Sequence, residues 1–263
     1  MHFQGVIRKM ISEFDSPVRY YLDFHDDILC MNQLLDMNIN IECIGYQCLS
    51  CDSDDAIFRQ GFCKKCFFEA PQAADWIIKP ELSKAHLNIE ERDLNYEKEI
   101  QLQPHIVYLA NTGNIKVGVT RKTQTPSRWI DQGAHEAIEI LETPNRYLAG
   151  TAEVAIKKYI SDKTNWRKML MNENSTENIL NYKTQAKNYL PNHLLHYFIE
   201  KDIITEIHFP ILDPPLKPES MKLDNGKEIS GILKGIKGQY LIFKENKVLN
   251  IRAHEGYIIK ISV

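Results

Sequence analysis

Apolar residues recur along the chain in short runs or in alternation with polar ones, and turn-forming residues separate the runs. Near the N-terminus this pattern predicts strands at Phe3–Met10, Val18–Phe24 and Asn38–Tyr46. Towards the C-terminus it predicts four more, at Ile229–Ile236, Gln239–Phe243, Lys247–Ala253 and Gly256–Val263. Four short strands in so little sequence predict a small antiparallel barrel. Since the first segment loosely echoes Ile229–Ile236, the two chain ends are expected to form similar or joined barrels.

The pattern changes after Pro104. Two β-rich runs, His105–Ala110 and Ile115–Thr120, are joined by Asn111–Asn114, which predicts a β-hairpin. The expected elements after the hairpin are a short helix from Pro126, a strand at Ala137–Leu141 and a longer helix from about Arg146. The middle of the chain therefore combines strands and helices, and the predicted fold class is a multidomain α+β protein.

The helix that starts near Arg146 carries an apolar stripe at spacings of three and four residues, formed by Leu148, Ala152, Ala155, Ile156 and Tyr159. At about 100° per residue, Glu153 lies about a quarter turn from the centre of this stripe. A carboxylate on the flank of a buried face can reach the edge of a sheet without being fully desolvated.

Proline positions divide the rest of the chain. Residues 70–100 are predicted to be irregular, with a short helix towards Ile100, and residues 175–203 are predicted to be helical with an interruption at Pro191. A proline-rich linker follows. We therefore predict three domains: residues 1–100 with a zinc ribbon, residues 101–205 with a helical extension, and residues 206–263 as the small barrel.

Four of the six cysteines form two Cys-x-x-Cys pairs separated by eleven residues: Cys48 with Cys51, and Cys63 with Cys66. Two such pairs can supply four thiolates to a tetrahedral zinc ion. A closed four-thiolate site leaves no position for substrate, so its expected role is structural. A thioredoxin-like redox site and structural disulfides are weaker alternatives, because the region lacks an α/β pattern and the chain shows no secretion signal. Cys30 and Cys43 are expected to be buried small residues rather than ligands.

The overall composition gives little indication of binding partners, because the formal net charge is only −3. The charge is uneven, however, since bases outnumber acids by 8 to 4 from Met221 to Val263. This basic segment could contact a phosphate backbone, or it could be a solvated sheet face. No apolar run is long enough to span a bilayer, and the N-terminus lacks the features of a secretion signal. We expect a cytoplasmic protein with no membrane partner.

A tyrosine, an arginine and a carboxylate in the central region could together cleave a phosphodiester bond. The order of elements and residues from Tyr108 to Asn165 resembles the GIY-YIG nuclease superfamily. The first motif of that superfamily is matched by Ile106–Val107–Tyr108 and the second by Lys116–Val117–Gly118. The family's arginine, metal-binding glutamate and asparagine are matched by Arg128, Glu153 and Asn165. The chain departs from the family at Lys116, where the second motif opens with tyrosine.

The resemblance implies a site with defined roles. Glu153 is expected to hold Mg²⁺ or Mn²⁺, and Arg128 to clamp phosphate oxygens. Tyr108, together with Lys116, is expected to position or deprotonate the attacking water. The residues expected to bind substrate or support its approach are Gly118, Arg121 and Asn165. Taken singly, Tyr108 could instead be a core residue, and Arg128 and Glu153 could be ordinary surface residues.

Nearly the whole chain also resembles a bacterial family of unknown function that joins a zinc ribbon, a GIY-YIG-like domain and a small C-terminal β-domain. The phrases that carry this resemblance are KVGVTR, RWIDQGA, SDKTNWRKML, GIKGQYL and VLNIR. Family members often have further cysteines in the segment matching Asp75–His105, and this chain has none there. Two functions stay open: a Mg²⁺-dependent DNA or RNA endonuclease, and a non-catalytic nucleic-acid-binding protein. A zinc-stabilised scaffold for protein interactions is a third hypothesis.

Overall fold

The structure is a computed structural model that describes residues 2–25, 27–173 and 177–263, and its fold is mixed α+β. The strands are β1 His2–Val6, β2 Ile11–Glu13, β3 Arg19–Asp23, β4 Ile28–Cys30, β5 Asn38–Tyr46, β6 His105–Asn111, β7 Ile115–Arg121, β8 Glu136–Thr143, β9 Ile204–Glu206, β10 Glu219–Ser220, β11 Glu228–Lys237, β12 Tyr240–Phe243, β13 Lys247–Asn250 and β14 Tyr257–Ser262. The α-helices are α1 Lys64–Glu69, α2 Leu94–Gln101, α3 Ser127–Asp131, α4 Arg146–Ile156, α5 Trp166–Leu170 and α6 Ile179–Tyr189.

Contacts between Cα atoms divide the chain into two compact units. Unit 1 comprises Met1–Phe68, Leu170–Asn172 and Ile207–Val263, and unit 2 comprises Glu69–Met169 and Glu173–Glu206. The three domains 1–100, 101–205 and 206–263 remain a prediction about which parts fold independently. No helix within the described residues has the length and apolar character that crossing a bilayer requires.

Unit 1 contains a seven-stranded sheet in the order β1-β14-β5-β11-β12-β13-β10, and a three-stranded sheet in the order β2-β3-β4. The two chain ends are joined, because β1 pairs with β14 and β5 pairs with both β14 and β11. The described residues form no closed barrel, so the predicted C-terminal barrel is wrong. Strand β14 takes its partners from the N-terminal segment instead of closing onto β13, and the sheet therefore stays open.

The basic C-terminal segment does not present all of its charges to solvent. Lys237 is only 1% exposed, and its Nζ donates a hydrogen bond to Asn172 Oδ1 at 2.7 Å. Burial lowers the pKa of Lys237 to about 8. Lys234 is paired with Asp36. Arg252 remains exposed, so it is the best placed of these three cations to meet a phosphate backbone.

Unit 2 is built on a four-stranded sheet in the order β7-β6-β8-β9. The predicted hairpin is confirmed: β6 and β7 pair antiparallel, with Tyr108 opposite Gly118. The short helix and the third strand are also confirmed as α3 and β8. In the predicted helical region, α6 ends at Tyr189 before Pro191, while residues 175 and 176 of that prediction lie outside the described residues.

Helix α4 lies against this sheet and begins at Arg146, where the Asn145 side chain accepts a hydrogen bond from the Leu148 amide. Its buried positions include Ala149, Ala152 and Ile156, whereas Tyr159 from the predicted stripe follows the helix and is 65% exposed. At 100° per residue, the centre of the observed buried face therefore lies about 50° closer to Glu153 than the centre of the predicted stripe. Glu153 is therefore closer to the core than the sequence pattern predicts.

Helix α4 also contacts the 3₁₀ turn Pro80–Leu82, which approaches the helix at Gly150. A Cβ atom on Gly150 would lie 2.3 Å from the backbone nitrogen of Glu81, so only glycine permits this approach. The contact brings Glu81 beside the helix, where its carboxylate lies 3.6 Å from Lys157 Nζ. It also places a second acidic side chain near Glu153.

Candidate metal centre and candidate active site

The four cysteines of the two pairs converge in unit 1. Their Sγ atoms all lie within 4.8 Å of one another, and the Sγ atoms of Cys51 and Cys63 are 3.9 Å apart. Tetrahedral zinc with bonds of about 2.3 Å to sulfur separates its ligands by roughly 3.8 Å, so the spacing fits that ion. Four close cysteines that could hold a zinc ion are therefore present, as the sequence predicts.

Local backbone geometry produces this convergence. The Asp52 amide donates to the Cys48 carbonyl at 3.0 Å, which closes the turn of the first pair. In the second pair, Cys63 precedes α1 and Cys66 lies in its first turn. The Cys63 amide donates to Cys48 Sγ at 3.3 Å, so the two turns are joined directly.

The thiols influence one another strongly. Hydrogen bonds with Ser53 lower the pKa of Cys51 to about 6, while the hydrogen bond with Cys51 raises the pKa of Cys66 to about 12. Opposed shifts of this kind arise where close thiols share protons. Cys43 is buried in β5 and Cys30 is half-buried in β4, and neither belongs to the cluster.

The candidate active site in unit 2 begins with Tyr108 on β6. This side chain is fully buried, its hydroxyl donates to Gln132 Oε1 at 2.9 Å, and its ring meets Trp129 edge to face at 6.0 Å. Burial raises the pKa of Tyr108. The phenol is thus held as a protonated donor rather than as a base.

Gly118 provides the space for that ring. A Cβ atom at this position would lie 2.6 Å from the Tyr108 hydroxyl oxygen and 2.7 Å from Cζ. Glycine is therefore required here because the Tyr108 side chain of the neighbouring strand approaches closely. The sequence analysis had assigned this space to substrate.

Substitution Gly118→Ala is expected to destabilise the protein by about 1–3 kcal/mol, because the buried Tyr108 ring has no room to move. The measurement is urea-induced unfolding followed by circular dichroism. Gly45→Ala is the matched control, since a Cβ on this strand glycine meets only Ile258 Cδ1 at 3.5 Å. Equal midpoints for the two variants would contradict the packing argument.

Arg128 and Glu153 both influence the pKa of Tyr108. Arg128, on α3, hydrogen-bonds to the phenol and lowers its pKa, whereas the charge of Glu153 raises it. The carboxylate of Glu153 is half-buried, and burial raises its pKa to about 7. Within the described residues no salt bridge engages Glu153. Its charge is therefore only partly balanced.

Lys116, on β7, belongs to the same electrostatic cluster. Its side chain is 6% exposed, and its Nζ donates to Thr164 Oγ1 at 3.3 Å. Burial and, to a lesser degree, Arg128 lower its pKa to about 8, while Glu153 and Asp162 oppose this shift. Lys116 thus loses its proton much more readily than an exposed lysine.

The remaining predicted site residues have other surroundings. Asn165 immediately precedes α5, and its Oδ1 accepts hydrogen bonds from the amides of Arg167 and Lys168 at 3.2 and 3.3 Å. Arg121 is half-buried at the end of β7 and interacts electrostatically with His105 and Arg146. Asn165 therefore organises the backbone after α4, and Arg121 lies beside the cluster rather than acting on Tyr108.

The sequence interpretation missed two residues, Arg146 and Asp162. The buried guanidinium of Arg146 donates to the carbonyls of Trp76 and Ile77 at 3.1 and 2.7 Å, and its charge acts on Glu153. An arginine in the first turn of an apolar helix opposes the helix dipole, and this was a usable signal. Asp162 follows the helix in an exposed segment and gave no such signal.

Comparison with known proteins gives one match. The profile of a family described as "Protein of unknown function (DUF2797)" matches residues 36–259. The chain belongs to the DUF2797 family. This membership confirms the resemblance to a family of unknown function and assigns no reaction. No curated protein and no solved structure matches the chain.

Proposed function

We propose that this DUF2797 protein is a Mg²⁺-dependent nucleic-acid phosphodiesterase of GIY-YIG type, with a structural zinc site. The observation that supports this is that the charges of Arg128 and Glu153 both act on Tyr108 and on Lys116. These four residues match the superfamily motifs in order, and the fold places them on β6, β7, α3 and α4 of one unit. Perturbed pKa values in such a cluster are typical of functional sites.

Glu153 is the residue proposed to hold the divalent cation. Burial and the neighbouring carboxylates of Asp162 and Glu81 raise its pKa, so a cation would be favoured at this position. Mg²⁺ is commonly bound by one or two carboxylates together with waters and phosphate oxygens. When bound, it would polarise the phosphate and stabilise the leaving oxyanion. The cation requires Glu153 to be ionised, and Arg146 and Lys157 favour that form.

Lys116 is the better candidate for the general base. A general base must be unprotonated at the pH of the reaction. The pKa of Lys116 is about 8, so a substantial fraction of its side chains is neutral near pH 8. Tyr108 cannot fill this role, because its buried phenol keeps its proton. We assign Tyr108 to positioning Arg128 through their hydrogen bond, and Lys116 to accepting the proton of the attacking water.

Arg128 is proposed to bind the non-bridging phosphate oxygens through its planar guanidinium. Gly118 would contribute by admitting the Tyr108 ring, and Asn165 by fixing the segment that carries Thr164, the partner of Lys116. Arg121 would add a positive charge for substrate at the end of β7.

Cleavage of nucleic acids tests this function. We expect the zinc-loaded protein to cut at least one substrate among single-stranded and structured DNA and RNA when Mg²⁺ or Mn²⁺ is added, and none without the ion. Failure to cut any of these substrates with either ion would contradict the proposal.

The second candidate is a non-catalytic nucleic-acid-binding protein, and a specific observation favours it. Tyr108 is completely buried and its hydroxyl is engaged by Gln132, as expected of a core tyrosine. In that case Glu153→Ala would leave nucleic-acid affinity unchanged, whereas charge reversal at the exposed Arg252 would weaken binding.

A further inference from the structure

Three phenylalanine side chains form an exposed cluster beside the four cysteines. The ring centroids of Phe58 and Phe67 are 5.3 Å apart, those of Phe67 and Phe68 are 5.3 Å apart, and those of Phe58 and Phe68 are 5.9 Å apart. Phe58 is 43% exposed and Phe68 is 59% exposed. Grouped, exposed aromatic rings mark an interaction surface rather than a core.

Cations accompany these rings. The guanidinium of Arg59 lies 5.4 Å from the centroid of Phe58 and 5.9 Å from that of Phe67. The segment Phe58–Phe68 contains three bases, Arg59, Lys64 and Lys65, all exposed, and no acid. We call the rings and these three bases the aromatic–basic surface.

The cysteine cluster holds this surface in place. On one side, the Phe58 amide donates to the Phe62 carbonyl at 2.8 Å, immediately before Cys63. On the other, Phe67 and Phe68 directly follow Cys66 on α1, and the Phe67 amide donates to the Cys63 carbonyl at 2.9 Å. A metal ion bound by the cysteines would therefore fix the rings relative to one another.

We propose that the aromatic–basic surface binds unpaired bases of single-stranded nucleic acid. Exposed aromatic rings stack on any base, and adjacent cations contact the phosphates; this combination is typical of single-strand binding. Exposed acids flank the segment at Asp55 and Glu69, but the charges placed among the rings are those of Arg59, Lys64 and Lys65, and these favour the phosphates of a nucleic acid. The inference rests on the proposed function, because it names the substrate class of the phosphodiesterase as nucleic acid with unpaired bases.

The test measures binding without cleavage. Fluorescence anisotropy of labelled 12-nucleotide oligo-U and oligo-dT, and of a matched duplex, is recorded with the zinc-loaded full-length protein in the absence of Mg²⁺. We expect Phe58→Ala and Phe68→Ala each to weaken single-strand binding by about 5- to 100-fold. Arg59→Gln should reduce the slope of log affinity against log salt by about 1.

Phe14→Ala is the matched control, since Phe14 is 51% exposed and lies outside the aromatic–basic surface. It should bind like the wild type, and all variants should retain their zinc. Equal affinity of the wild type and both Phe variants, tighter binding of the duplex, or no binding of any oligonucleotide would overturn the inference. The last result would point to a protein partner instead.

The two proposals fail in distinguishable ways. If Phe58→Ala and Phe68→Ala weaken binding while the wild type cuts no substrate, the surface is supported and the phosphodiesterase is not. If the wild type cuts nucleic acid and both variants bind and cut equally well, the phosphodiesterase is supported and the surface is not.

Discussion

Substitution of Cys63 or Cys66 by serine is expected to release one zinc ion per chain and to unfold the segment around the cysteine cluster. Each substitution removes a thiolate from a site whose four Sγ atoms lie within 4.8 Å. Structural zinc contributes about 10–16 kcal/mol to the folding of isolated zinc-finger peptides. Because this cluster sits within a larger unit, we expect the free energy of unfolding to fall by about 5 kcal/mol, at the upper end of the effects of single substitutions. Elemental analysis measures the zinc, and urea-induced unfolding measures the stability.

Cys30→Ser is the matched control. Cys30 is half-buried and lies outside the cluster, so this variant should keep its zinc and most of its stability. Zinc retained at one ion per chain by Cys63→Ser, or wild-type protein that is free of zinc and equally stable with a strong chelator, would contradict the assignment of a structural metal.

Lys116→Met should reduce the rate of phosphodiester cleavage by about 10²- to 10⁴-fold, the usual contribution of a general base. The pH profile supplies the mechanistic test. The ionised fraction of Glu153 increases through a pH of about 7, and the neutral fraction of Lys116 increases through a pH of about 8. The wild-type rate should therefore rise with pH between about 6.5 and 8.5, and the Lys116→Met variant should lose the upper part of this rise.

Methionine at this buried position should not unfold the protein, because a buried charge is replaced by an apolar chain of similar size. Lys122→Met is the matched control: Lys122 is exposed, pairs with Glu142 at 2.8 Å and should lose little activity. A Lys116→Met variant with the wild-type rate and pH profile would assign the proton transfer to another group.

The parts of the fold that local sequence encodes could be predicted. The β6–β7 hairpin follows from a short turn between two β-rich runs. Helix α6 ends at Tyr189, two residues before Pro191 in the sequence. Long-range pairings could not be predicted in this way. Strand β14 pairs with β1 and β5, more than 200 residues away along the chain, and no local pattern specifies such partners. For this reason the predicted barrel is wrong.

Some features of the candidate sites could likewise be predicted from the sequence, and others could not. The two Cys-x-x-Cys pairs predict their cluster, because residue type and spacing alone define a zinc site. The surroundings of Glu153 depend on which face of α4 is buried, and the Gly150 contact with the Pro80–Leu82 turn helps to set that face. The space that Gly118 leaves for Tyr108 depends on cross-strand register in the same way.

Glu153 is the residue on which the proposed metal-dependent phosphodiester cleavage depends most directly. Its most direct test is the cleavage rate of wild-type protein and Glu153→Gln, measured side by side at pH 8 on one labelled substrate with added Mg²⁺. Glutamine keeps the size of the side chain and removes its charge. We expect the rate to fall by about 100-fold or more, with zinc content and melting temperature unchanged. Equal rates for the two proteins would contradict the account.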